Sequence, residues 1–549
     1  MPVNSNKHPL PILRQAADGV RLDRFDATTP EACGRNTWKP VATHSHHLRT
    51  GRCDYERLRR HVVEWCRTYR IRALGLGSPW EPVSAASYRR FEHEGRDLYY
   101  SPDFDHRSVR DEDHVRRCID EFNALAGPET LVYLDNETPK SRYGHLWWFG
   151  WHYEFPAWHD YSQDRPVQYY EGDPHVEINR RTGLPHRRRP CLQIVAEQRA
   201  HGALGIWAHP TSWWLGAKGE FVANIAAELP MHLLADGCVD GMTVMGYDAC
   251  HRCYQKLWFH LLDRGYRVPA FAECDVCFDR GCRVDIDRPL LNWLPLAEPV
   301  TLEGIVAAAK TGANILSPSS WLKLTVDDVP MGSVCVTDPR RTHRVRVDWF
   351  PADGASGGTL ELVGRGGRPI GRLDDLRPGS WFFCVPGAIE MGYLVARAFG
   401  PGQNPDLPQK QIRDFALTNP VYLRASGHTE PKPVATTLDL SVRPGSPWEG
   451  ARVFFETAGG EPLGSAALSS APFHETLPAS ARLRLRSTGG EESIRYLAME
   501  NLRVQALLRY LYDGEFRADF SGLSGGEVPP EAFRFDELRE ALSAVELEV

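Results

Sequence analysis

Pro40-Val41-Ala42-Thr43-His44-Ser45-His46-His47 is the stretch on which the reading of this chain turns. A short apolar run leads into three histidines, and the polar turn Arg49-Thr50-Gly51 follows. In an extended strand alternate residues share a face, so His44 and His46 point the same way. Two imidazoles side by side at a strand end make half of a metal site. The same residues also read as a histidine-rich surface turn, and the rest of the chain must separate the two readings.

Outward from this stretch, strands alternate with helices. Residues 54–67 have helical periodicity through Leu58, Val62, Val63 and Cys66, with Asp54 placed as an N-cap. A strand follows at 71–76, ending at Gly77-Ser78-Pro79-Trp80, then a helix over 111–125 and a strand at 130–134. An aromatic and polar excursion runs from Tyr143 to about Pro190. Beyond it, helices are expected over 191–201, 220–234, 251–262 and 302–310, and strands at 204–208, 241–245, 268–272 and 314–316. This spacing implies parallel strands in an α/β barrel or a layered sheet. After about Trp321 short alternating runs such as 343–349 and 359–363, punctuated by Gly and Pro, have all-β sandwich texture. The expected division is a polar arm at 1–38, an α/β barrel at 39–322, a β-sandwich module at 323–425 and, past Pro431-Lys432-Pro433, a mostly β module at 434–549 with a late helix at 493–511. There is no internal repeat and no nucleotide-type glycine loop opening a helix.

Composition narrows the function. The chain has 549 residues, long enough for more than one domain, and its 25% charged and 42% hydrophobic residues are ordinary for a globular protein. A net charge of -7, from 64 basic and 71 acidic residues, argues against a nucleic-acid partner. The densest basic run, His186-Arg187-Arg188-Arg189, reads as a solvated loop, with anion binding as the alternative. No apolar run could span a bilayer, and Met1 to Lys7 lacks the apolar core of a signal peptide. The 13 scattered cysteines, odd in number, read as reduced thiols, so a cytoplasmic location is expected. Cys250 with Cys253 and Cys274 with Cys277 form two CxxC pairs. The first pair opens a helix and the second leaves a strand, which argues against a shared zinc knuckle.

In parallel α/β barrels the active site gathers at the C-terminal ends of the strands. Those ends carry His44 and His46, then Asp135-Asn136-Glu137 followed by Gly144-His145, then His209, then Glu273 and Asp275. A lone carboxylate at a strand end is often a helix cap and a lone histidine often a core residue. Four strand ends bearing such groups together are a stronger signal than any one of them. His251, just past the strand at 241–245, is a candidate general acid, or simply a histidine on the first turn of a helix. Trp80, Trp147, Trp148, Trp213 and Trp214 fall in expected strand-to-helix loops, where they would either fill a small core or wall a substrate. Of these Trp80, Trp148 and Trp213, with Tyr247, are taken as substrate-binding candidates.

These motifs resemble the polymerase-and-histidinol-phosphatase (PHP) superfamily. The carrying residues are the strand-end HxH, the Glu followed by Gly-His, the His-Pro at 209–210 and the late strand-end Asp. The stretches Ala208-His209-Pro210, Asp240-Gly241-Met242-Thr243-Val244, 258–265 and Ala272-Glu273-Cys274-Asp275 are similar to its CehA/McbA-type branch, named for a carbamate-insecticide hydrolase, over roughly residues 40–425. The resemblance implies a distorted seven-stranded (β/α) barrel followed by all-β sandwich-like modules. It also implies a dinuclear site: His44, His46, Glu137 and Asp275 on one ion, Glu137, His145 and His209 on the other, with Glu137 bridging. Two family elements are missing. The second strand ends in Gly77-Ser78-Pro79-Trp80 in place of an Asp-His pair, and Asp275-Val276-Cys277 replaces Asp-x-His, so the third ion of three-metal members is lost or altered.

The expectation is a metal-dependent hydrolase with two divalent transition ions, zinc, manganese or iron. A bridging hydroxide would cleave a phosphoester, ester, carbamate or amide bond of a small-molecule or glycan-like substrate, with Glu137, Asp275 and His251 as the catalytic residues. The alternative is a degenerate barrel that binds a carbohydrate or a partner without catalysis.

Overall fold

The computed structural model describes residues 11–46, 55–77, 112–135, 137, 144–151, 198–210, 238–246, 251–278, 289–338, 340–387, 392–401, 414–425 and 449–486 with few interruptions, together with short strands elsewhere. The chain forms two compact units. One comprises residues 1–81, 113–136 and 241–428, the other residues 82–112, 137–240 and 429–549. No helix among the described residues is long and apolar enough to cross a membrane.

In the first unit β1 (Trp38–His46), β2 (Ala73–Gly77) and β3 (Leu131–Leu134) form a parallel ladder in that order. Helices Tyr55–Thr68 and Glu112–Ala126 are the crossovers. The first buries Leu58, Val62, Val63 and Cys66, the residues whose three- and four-residue spacing made the helix legible.

Beyond β3 the expected architecture is overturned. The protein is not a distorted seven-stranded (β/α) barrel. It is mostly β-sheet, and among the described residues four α-helices reach nine residues, too few to ring such a barrel. The free edge of β1 pairs antiparallel with Leu291–Pro295, a strand that the sequence reading missed. Its residues Leu291 to Leu294 are all buried, so no polar alternation marks the strand. From there a thirteen-stranded sheet continues through Ile315–Ser317, Phe415–Thr418, Tyr393–Phe399, Gly358–Val363, Pro369–Leu376 and Leu13–Arg14. The expected barrel and sandwich are therefore joined by one sheet.

A second, five-stranded sheet of the same unit contains Arg21–Asp26, Gly379–Pro386, Thr342–Phe350, Trp321–Val326 and Val329–Pro330. Trp321, Trp349 and Trp381 are fully buried in the core that the two sheets share. Within the expected arm at 1–38, Leu13–Arg14 and Arg21–Asp26 each add an edge strand to a sheet. The expected boundary at 322 falls inside the strand Trp321–Val326.

The strand Ala270–Ala272 pairs in parallel with Gly241–Met245 across the helix His251–Asp263. Asparagine side chains satisfy its other edge. Asn419 accepts from the Ala270 amide (2.7 Å) and donates to the Ala270 carbonyl (2.9 Å). Asn292 does the same for Ala272, at 2.8 and 2.7 Å. Asn314 donates to the Ala270 carbonyl and accepts from Asn419 Nδ2, both at 2.7 Å. A carboxamide offers one donor and one acceptor side by side, so it imitates a peptide group and completes a ladder where no strand fits.

In the second unit Gly144–Phe149 and Leu204–Trp207 pair antiparallel, with Leu146 opposite Trp207. Trp147, Trp148, Phe149 and Trp207 are fully buried. A Cβ at Gly205 would lie 2.9 Å from the Trp148 ring, so the close approach of that indole requires glycine. Of the helix expected over 220–234, residues 221–223 instead form the strand Phe221–Ala223, paired with Trp213–Leu215, whereas Leu234 is helical and residues 224–233 lie outside the described residues. Farther along, Arg452–Glu456 lies between Pro462–Ala467 and Arg482–Arg486, with Glu492–Tyr496 outermost. That last strand replaces the start of the expected late helix, and residues 497–511 lie outside the described residues.

Replacing Asn292 by leucine, which keeps its shape, would leave the buried Ala272 N–H without its partner, while the Ala272 carbonyl keeps its hydrogen bond from Thr43 Oγ1 at 2.8 Å. The expected cost is about 1–3 kcal/mol, read as a lower urea midpoint of the purified chain. An unchanged midpoint would show that the amide pair contributes nothing.

Candidate metal centre

The C-terminal half of β1 does not present its histidines by simple alternation. Its pairing with β2 shifts register between Ala42 and Ser45, and His44 has a φ of 55°. This is a bulge, the device that re-aims a side chain next to a site. The His44 amide, turned out of the ladder, donates to Asp135 Oδ2 at 2.6 Å, just past the end of β3. Gly75 on β2 leaves room for that carboxylate, for a Cβ there would meet Asp135 Oδ2.

The bulge brings the two imidazoles edge to face with ring centres 5.2 Å apart. His46 Nε2 lies 3.1 Å from Asp275 Oδ1, and His44 Nε2 lies 3.7 Å from the same oxygen. Asp275 follows Ala270–Ala272, and its φ of 43° turns the chain back toward β1. Behind the pair, His44 Nδ1 is 2.8 Å from Glu273 Oε2, which also accepts from Thr243 Oγ1 at 2.9 Å. Glu273 is 1% exposed. An Nδ1–H donated to Glu273 sets the tautomer and leaves the His44 Nε2 lone pair on the Asp275 side.

The second unit builds a set of its own. Glu137 Oε1 lies 2.7 Å from His145 Nδ1 and 2.7 Å from His209 Nε2. Glu137, His145 and His209 are 3, 7 and 4% exposed, and each offers a ligand atom within 4.8 Å of the others. All three were expected beyond strand C-termini, yet His145 is the second residue of Gly144–Phe149. It reaches His209 because that strand runs antiparallel to Leu204–Trp207, so the start of one and the end of the other coincide. The Ala208 amide, beside His209, donates to the His145 carbonyl at 3.1 Å. His209 itself sits at a φ of 22°. Left-handed backbone at a non-glycine residue costs about 1–3 kcal/mol and persists only where the surroundings enforce it. His44, Asp275 and His209 all adopt it.

The donor chemistry fits a divalent ion. A buried carboxylate needs a cation or several donors close by. Two imidazole nitrogens and a carboxylate oxygen converging in a buried space are a ligand set for zinc, iron or manganese. His, Glu and Cys groups able to hold a metal ion are therefore present in this protein.

The remaining candidates fare unevenly. Trp148 is fully buried against Gly205, so it fills the core and shows no face to a substrate; Trp147 is equally buried. Trp213 lies on the strand Trp213–Leu215 and His251 opens the helix His251–Asp263, but their side chains lie outside the described residues, as do Trp80 and Tyr247 altogether. The fully buried Cys274 thiol donates to the Leu290 carbonyl at 3.2 Å, and burial pushes its pKa up. Burial likewise pushes the Cys66 thiol up to about 12. Cys250 and the side chains of Cys253 and Cys277 lie outside the described residues. Sequence reasoning missed the roles of Asp135, Thr243 and Glu273. Glu273 was visible as a strand-end carboxylate, but only the fold shows that it faces the back of His44.

No protein-family profile matches the chain, and no curated protein matches it. Among solved structures, a crystal structure of BcpA, the major pilin subunit of Bacillus cereus, aligns at 8% identity with a TM-score of 0.13. The alignment covers 32% of this chain and 64% of the pilin, and a likeness this low carries no argument about fold or function.

Glu273→Gln is expected to preserve the fold and to weaken retention of a divalent ion at His44 by about tenfold to a hundredfold, as the loss of an orienting carboxylate does elsewhere. Titration of the apoprotein with zinc measures this, and equal affinities in parent and variant would remove Glu273 from the centre.

Proposed function

We propose that this protein is a metal-dependent hydrolase. The observation that carries the reading is the triad in which one carboxylate oxygen of Glu137 lies 2.7 Å from a nitrogen of both His145 and His209, all three buried. Glu137, His145 and His209 would hold one divalent transition ion, and His44, His46 and Asp275 are the ligand set for another. The ligand pattern is the part of the PHP likeness kept here; the barrel is not.

A bound ion of this class polarises a substrate oxygen and makes a water acidic enough to attack near neutral pH. The protein groups prepare that chemistry. Glu137 would offset the charge of an ion held beside the imidazoles. Asp135 fixes the bulge that aims His44, and Glu273 with Thr243 fixes its tautomer. The Asp275 side chain is 26% exposed, against 9% or less for the four histidines and Glu137. It is the group of the set placed to meet solvent and substrate, and to take a proton from an attacking water. The substrate belongs to the phosphoester, ester, carbamate or amide classes.

The test is metal analysis and a chelator-sensitive hydrolysis screen, with chromogenic phosphoester, ester and carbamate probes, on the full chain expressed with zinc, manganese and iron supplied. Glu137→Gln is expected to keep its melting temperature within a few degrees, lose at least one ion per chain and lose about a hundredfold or more in turnover. A parent protein that is folded, metal-free and inactive would sink the proposal.

A further inference from the structure

A second cluster of metal-ligand chemistry lies in the β-sheet region of the first unit, outside the centre just described. Asp327 sits in the turn between Trp321–Val326 and Val329–Pro330, Cys335 on Val334–Thr337 and His343 on Thr342–Phe350. Each offers a ligand atom within 4.8 Å of the other two. Cys335 and His343 are both 3% exposed, whereas the Asp327 side chain is 42% exposed.

The hydrogen bonds within the cluster leave one group unanswered. His343 Nδ1 is 2.6 Å from Asp327 Oδ2, and Asp327 Oδ1 accepts from the Arg344 amide at 2.8 Å. Both carboxylate oxygens are thus held, and the carboxylate fixes the ring. His343 Nε2 is buried and has no hydrogen-bond partner among the described residues. The ring nitrogen that faces the carboxylate is Nδ1, so an ion bound by Asp327 and His343 together would replace the proton between Nδ1 and Oδ2, with Nε2 carrying the ring proton. The thiol is underused too, its hydrogen bond among the described residues being a weak 3.9 Å contact from Sγ to the Val336 carbonyl. Burial and the charge of Asp327 both push its pKa up, which a cation close to the sulfur would reverse.

We infer that Asp327, Cys335 and His343 form a site for a single zinc-class divalent ion. Thiolate sulfur, imidazole nitrogen and carboxylate oxygen together suit zinc better than calcium or magnesium, which take oxygen ligands. One thiolate and one carboxylate balance the two positive charges, and binding releases the thiol proton to solvent. The open side at Asp327 leaves room for water as a further ligand and gives the ion a way in. An ion there would tie the turn at Asp327 to the strand Val334–Thr337, so its role is to fasten the β-sheet region rather than to hydrolyse a bond.

The experiment uses the purified full chain, stripped with a chelator and titrated with cobalt(II), which reports a bound thiolate by a sulfur-to-cobalt charge-transfer band, and then with zinc. One thiolate-cobalt band per chain is expected, bleached by zinc, with a higher melting temperature in the zinc form. Cys335→Ser should abolish the band, and Asp327→Asn, on an exposed turn that tolerates the change, should weaken cobalt binding about tenfold. Glu137→Gln should leave the band intact, which separates this site from the proposed hydrolytic centre. Absence of the band from the parent chain, or its survival in Cys335→Ser, would overturn the inference. Should Cys335→Ser not fold, the parent and Asp327→Asn titrations still decide it.

Discussion

The candidate centre of the first unit rests on three asparagine side chains standing in for a missing strand. Ala270–Ala272 is short, buried and paired along one edge, and Asn292 and Asn419 supply the other edge as paired donors and acceptors. Without them buried peptide groups would lack partners, a cost that grows in a low-dielectric interior. The residues that leave this strand are Glu273, Cys274 and Asp275. Glu273 orients His44, the Cys274 amide donates to the Thr43 carbonyl at 3.0 Å, and Asp275 meets His46. Asn292 also donates to Thr43 Oγ1, so the network that closes the sheet holds the root of the histidine bulge as well. Architecture and ligand geometry are one set of hydrogen bonds.

The same economy of partners appears at Asp135. Its carboxylate takes the amide that the bulge at His44 removes from the ladder, in space left by Gly75. A bulge without that acceptor would bury an unpaired N–H, so Asp135 is a condition of the His44 conformation and not merely its neighbour. In the second unit the antiparallel pairing of Gly144–Phe149 with Leu204–Trp207 does comparable work. It places His145 and His209 at one end of the strand pair, where Glu137 lies between their nitrogens.

The zinc-class site proposed at Asp327, Cys335 and His343 follows a different logic. There the donors belong to a turn and two strands of the β-sheet region, and the sign of a ligand is a carboxylate, a thiol and an imidazole whose ligand atoms all lie within 4.8 Å of one another. The hydrolytic set was visible as a pattern of strand ends. The other cluster falls within residues 327–343, a turn aspartate, a cysteine and a histidine that no short motif joins.

Local pattern in the sequence determined what depends on neighbours along the chain. The periodicity of Leu58, Val62 and Val63 specified a helix, two crossovers specified the parallel β1–β2–β3 ladder, and the alternation over 343–349 specified a half-buried strand. The chemical types at the strand ends named His44, His46, Glu137, His145, His209 and Asp275. What the sequence could not decide was pairing between distant segments. Leu291–Pro295 is buried on both faces and shows no period, so the antiparallel edge of β1, and with it the replacement of a barrel by a shared sheet, was invisible. Phe221–Ala223 took its strand form from a partner rather than from its own residues. Glu273, Thr243 and Asp135 acquired their roles because the fold set them behind a histidine, and the positive φ of His44, His209 and Asp275 exists only where surrounding contacts enforce it. Side-chain identity is carried by the chain, but convergence is decided by tertiary hydrogen bonds that no local window contains.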